Sequence, residues 1–84
     1  KKLSSAEERA LKKEKEAEER RLAREKARLE ALIEELETAI AENEAQMCLP
    51  ENLANHQLLT ELDQKNAKCR NELEEAYEKW MALA

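Results

Sequence analysis

LTELDQKNAKCRNELEEAYEKWMAL, residues 59–83, decides the fold. Leu59, Leu62, Asn66, Cys69, Leu73, Ala76, Trp80 and Leu83 recur at alternating spacings of three and four. That rhythm draws one narrow stripe along an α-helix, and a stripe of this kind is buried only against another helix. The partner is sought upstream. Residues 22–47 carry a second stripe of Leu22, Leu29, Ile33, Leu36, Ile40 and Met47, with Asn43 in step and Leu32 broadening it.

Between the two stripes, Cys48 to Asn55 breaks the pattern around Pro50. A proline disfavours helical geometry at the residue before it, so the first helix should end close to Cys48. Pro50 itself suits a first helical position, which allows a short turn over residues 50–54. Asn55 is placed to cap the second long helix, leaving His56 exposed in its first turn. At the other end, Ser4 with Glu7, or Ser5 with Glu8, has the spacing of a capping box, so the first helix should begin near Ser5.

Two long amphipathic helices joined by about eight residues favour an antiparallel hairpin. Two registers satisfy the stripes. One sets Asn43 opposite Asn66, Leu36 opposite Leu73 and Leu29 opposite Trp80. The other slides by a heptad and sets Leu29 opposite Leu73 and Leu22 opposite Trp80. The first lets the two polar seam residues satisfy each other, where a buried amide left unpaired costs roughly 1–3 kcal/mol. The second allows a tighter loop. Trp80 is expected as an anchor of the seam, with Tyr77 at its edge and the hydroxyl in water.

Composition limits what such a chain can do. Its 84 residues contain no Gly and no Phe, and 42% of them are charged, which suits an elongated coiled coil rather than a globule. Without Gly there is no loop whose backbone can cradle a phosphate closely. The chain is therefore expected to be non-enzymatic, with no cofactor and no metal site of its own. No apolar run approaches the ~18 residues of a membrane span. Cys48 and Cys69 are too few for a disulfide framework and suit a reducing compartment.

Upstream of the first stripe the chain changes character. Continuing the seam backwards meets Glu19, Lys15, Lys12 and Glu8, which cannot form an apolar contact. Residues 1–21 are thus expected as a charged arm, helical or frayed, projecting from a hairpin of residues 22–84 whose tip is residues 48–55. The fold class is all-α: an antiparallel two-helix coiled-coil hairpin with a charged N-terminal helical arm. Residues 1–28 hold 11 basic and 7 acidic groups, net +4, while residues 29–84 hold 4 basic and 13 acidic groups, net −9.

On a helix, Arg9, Lys13, Arg20 and Arg24 share one face, with Arg28 at its edge, and that face lies opposite the Leu29/Ile33/Leu36 seam. A solvated face steadied by pairs such as Glu8–Lys12 and Glu16–Arg20 is one reading of these charges. A surface that tracks phosphates is the other. Cations near a helix N-terminus oppose the macrodipole, so helix stability does not explain them. The arm has no aromatic residue for stacking on bases. Contact with nucleic acid through Arg9, Lys13, Arg20, Arg24 and Arg28 would be weak, salt-sensitive and indifferent to sequence.

The residues also carry a resemblance. Lys2-Leu3-Ser4-Ser5 with Glu7-Glu8, Leu29-Glu30 to Ile33 with Leu36-Glu37 and Ile40, Met47-Cys48-Leu49-Pro50-Glu51 through Asn55-His56, and Leu73-Glu74-Glu75-Ala76-Tyr77-Glu78-Lys79-Trp80 together resemble the C-terminal coiled-coil extension of ABC-F proteins. These are the soluble tandem ATP-binding-cassette proteins. The Met-Cys-x-Pro-Glu tip combined with the Tyr-x-x-Trp ending is the more specific part. The chain departs from the pattern in having Ser5 where an aromatic is usual, and in the length and charge of Leu11 to Lys26. The resemblance implies a cytoplasmic parent protein whose ATPase cassettes lie outside this chain and act as its partners. It implies contact with ribosomal RNA or DNA, and positioning of the parent, on the ribosome in translation or antibiotic protection or in DNA transactions. The alternative is a structural or protein-docking hairpin without nucleic-acid binding. In either case the chain is expected to be a monomer without membrane contact.

Overall fold

The structure, a computed structural model, describes residues 2–84. Lys1, the first residue of the expected arm, lies outside the described residues. Two α-helices make up nearly all of it: α1, Ser5–Met47, and α2, His56–Leu83, joined through a single 3-10 turn at Pro50–Asn52. The molecule is an antiparallel helical hairpin drawn out into a rod of 75 × 15 × 14 Å.

Each helix end has a local cause. Of the two capping boxes open at the N-terminus of α1, the structure forms the one on Ser4. Its hydroxyl oxygen accepts from the Glu7 backbone N–H at 3.2 Å and donates to the Glu7 carboxylate at 3.1 Å. At the other end, Leu49 is extended (φ −65°, ψ 134°), as a residue before proline must be, and this stops α1. Asn52 then folds back and donates from its side-chain amide to the Gln46 carbonyl at 2.8 Å, a terminal carbonyl of α1 that also accepts from the Leu49 N–H at 3.3 Å. Asn55 caps α2 by accepting from the Leu58 N–H at 3.2 Å. The tip reverses the chain with no positive φ among the described residues, which is why it needs no glycine.

The seam follows the Asn–Asn register. Asn43 donates to the Asn66 side-chain oxygen at 2.9 Å, and Asn66 donates to the Ile40 carbonyl at 3.4 Å. Asn66 is only 1% exposed and Asn43 is half-buried, so the pair reaches into the core from its edge. From there the seam runs toward the open end of the hairpin. Leu29, Ile33 and Ala76 form a buried cluster against which Leu32, Leu73, Trp80 and Leu83 pack. Leu36 and Leu62 are the remaining buried apolar residues.

Ala76 keeps the helices close beside Leu29, and Trp80 fills the width one turn later. The indole N–H donates to Glu30 at 3.0 Å, and the Lys26 ammonium stands 5.2 Å from the ring centre. A half-buried tryptophan is thereby held on three sides: apolar packing, a charge-assisted hydrogen bond and a cation over the ring. Tyr77 lies at the rim, 39% exposed. Toward the tip, Arg70 crosses to Glu44 at 3.2 Å.

Candidate nucleic-acid interface

α1 is longer than α2 by 15 residues. In the Asn–Asn register Leu83, the end of α2, lies opposite residue 26, so α1 runs alone from Ser5 to about residue 25, about 31 Å of helix. Residues 2–21 are exposed throughout, and Leu22 is the first to be half-buried. The arm and the first coil are nonetheless one unbroken helix, so the cations ride on a straight extension of the hairpin.

Arg9, Lys13, Arg20, Arg24 and Arg28 are all exposed. The first four fall within about 60° of arc on the side of α1 away from the seam, strung along about 22 Å of axis. Their engagements differ. Among the described residues, Lys13, Arg20 and Arg24 make no ion pair or side-chain hydrogen bond, and Arg9 donates only to the Ser5 carbonyl at 3.3 Å. Arg28, at the edge of the face, is held by Glu25 through both Nε and a terminal nitrogen. It is thus the least available of the five.

The pairs that steady the arm are not the ones expected. Glu8–Lys12 and Glu16–Arg20 do not form; Glu18–Arg21 and Glu25–Arg28 do, at i,i+3. The guanidinium fork meets both carboxylate oxygens at once where a lysine cannot, which favours arginine over Lys12 but does not distinguish Arg21 from Arg20. The hydrogen bonds from Arg21 and Arg28 hold the Glu18 and Glu25 carboxyls below the usual carboxylate range, and the same contacts raise both guanidinium values. These pairs lie toward one side of the arm and leave the outward row of cations unneutralised.

Sequence reasoning did not single out Lys26, Glu30, Glu44 or Arg70 as cross-seam partners. The signal was present: once Leu29 is set opposite Trp80, residues 26 and 30 fall on the adjoining turns. Cys48 is exposed at the tip, Cys69 is half-buried in the seam, and both are free thiols. No group of three or more His, Cys, Asp or Glu side chains able to hold a metal occurs among the described residues. No described helix is long and apolar enough to cross a membrane.

A family model described as the ABC transporter C-terminal domain matches residues 2–84, all of the described chain. The chain belongs to the ABC transporter C-terminal domain family. For an ABC transporter C-terminal domain, an all-helical hairpin is consistent with an accessory unit. No curated protein and no solved structure matches it.

Proposed function

We propose that this ABC transporter C-terminal domain is the coiled-coil extension of an ABC-F ATPase, contacting nucleic acid and helping to position its parent protein, foremost on the ribosome. One observation carries the reading. Lys13, Arg20 and Arg24 stand unpaired on the outward face of a straight helical arm, with Arg9 in line, while the hairpin behind them is strongly acidic. Such a row neutralises backbone phosphates and releases their counterions, whatever the base sequence. The acidic hairpin repels the same polyanion, which confines contact to the arm and turns the tip away from it. The ABC-F assignment, the cytoplasmic setting and ribosomal RNA or DNA as ligand rest on the tip and Tyr-x-x-Trp residues and on this charge distribution.

Charge reversal tests it. Arg9→Glu, Lys13→Glu, Arg20→Glu and Arg24→Glu together should abolish binding to ribosomal RNA and to duplex DNA at low salt. The wild-type chain should show a log K against log salt slope of about −3 to −4 on duplex DNA, as expected for roughly four phosphate contacts. Unchanged affinity in the quadruple variant would leave the structural, protein-docking reading in its place.

A further inference from the structure

Every residue of α1 from Ala6 to Leu32 is alanine, leucine, arginine, lysine or glutamate. These five are among the strongest helix formers, since none is β-branched and none is short and polar. The unaccompanied stretch can therefore stay helical with no second helix beside it. Chains built from glutamate, alanine and lysine act as semi-rigid spacers for the same reason. α1 also lacks the ordinary causes of a kink. It contains no proline and no glycine, and no described residue has a positive φ.

A hinge would be expected where α2 ends, because there a two-helix section passes into a single helix. The structure ties that level on both sides. On one side the Trp80 indole donates to Glu30 at 3.0 Å, with Lys26 over its ring. On the other, Arg28 is held by Glu25 and lines a cleft with Glu72, Glu75 and Ala76 of α2. Residues 25–30, which span the change in thickness, are thus bound to one another and to the last turns of α2. The helix runs through this level unbroken.

We propose that arm and coil form a single lever, so that a turn imposed at the Ser4 end of α1 carries the hairpin tip with it as one rigid body. The pivot is the non-helical run of residues 2–4. From Ser5 to Met47 the lever measures about 63 Å, so a tilt of about 10° at the cap moves the tip by about 11 Å. A small rotation at one end thus becomes a displacement of molecular size at the other. The lever is a property of the chain itself and stands whether or not the arm touches nucleic acid.

Distances between two spin labels on the 84-residue chain decide the matter. Exposed Cys48 at the tip takes one label and Ala10→Cys in the arm takes the other, in a Cys69→Ser background. The two positions are about 57 Å apart along α1. Double electron–electron resonance should return one narrow distribution near that separation. Adding Ala17→Gly and Ala23→Gly, both at exposed positions, should shift the distribution to shorter distances and broaden it. A label pair within the coil, Cys48 with Ala31→Cys, should stay narrow with and without the glycines, which shows that the seam is intact. A broad or multiple arm-to-tip distribution in the chain without glycines would overturn the proposal, because the arm then moves apart from the coil. A glycine variant as narrow as its parent would also overturn it, because helix continuity is then not what holds the arm. Broadening within the coil would overturn it as well, since the hairpin itself is then not a rigid body.

Discussion

Asn66 is the most constrained residue of the chain. It accepts from Asn43 and donates to the Ile40 carbonyl while almost wholly removed from water. A buried amide is tolerated only when its hydrogen bonds are made, so its value lies in rejecting registers that leave it facing leucine. Asn66→Ala should cost about 1–3 kcal/mol in urea denaturation, because it leaves Asn43 without its acceptor and opens a gap beside Ile40. Replacing both asparagines by leucine should cost less than the single change, or stabilise the hairpin. The double variant should also lose its unique register, visible as extra resonances or mixed oligomers, since two apolar seams can slide by a heptad. A double-mutant cycle that returns no coupling between the two positions would remove this account.

At the scale of the element, α1 carries two different environments on one helix. Its C-terminal half is held by tertiary packing, and its N-terminal half is held by its cap and by local charge pairs. The Glu18 and Glu25 carboxyls ionise more readily here than in an unfolded chain because Arg21 and Arg28 hydrogen-bond the charged form. Their folded values lie below their unfolded ones. The contribution to arm helicity is therefore complete above the ordinary carboxylate range and is lost as pH falls through the lowered folded values. Circular dichroism should show this as an acid-side loss of helix that Glu18→Gln with Glu25→Gln removes. If both chains respond to acid alike, the pairs contribute nothing.

At the scale of the molecule, the rod divides into a coil that folds itself and an arm that adds reach. Everything buried lies between Leu29 and Ala76 of the two helices, and residues 2–21 contribute nothing to it. Deleting residues 2–21 should therefore leave a cooperative hairpin. Its thermal midpoint should shift by less than the roughly 4–8 °C that corresponds to 1 kcal/mol in a domain of this size. The same deletion should abolish polyanion binding. A large loss of stability would mean that the arm is part of the core.

Local chemistry was legible before any coordinates. Heptad spacing, Pro50, the Asn55 cap and the serine cap each act over a few residues, and each appears where the chain places it, with Ser4 selected over Ser5. The run of outward cations could be read in the same way, because a helix converts spacing directly into direction. The engagement with nucleic acid proposed for that row rests on chemistry outside the hairpin and is not written in either helix alone. What the sequence left open was every choice between similar partners. The stripes allowed two registers, and the structure formed the one in which Asn43 and Asn66 meet, because an amide facing leucine has no acceptor. The arm offered several glutamates, and the arginine forks took those at i,i+3. Trp80 was identifiable as an anchor, but its hold on Glu30 and its place beside Lys26 arise only when the second helix lies against the first. Periodicity determines that helices form and which side they bury; tertiary contact alone determines which polar groups are left free.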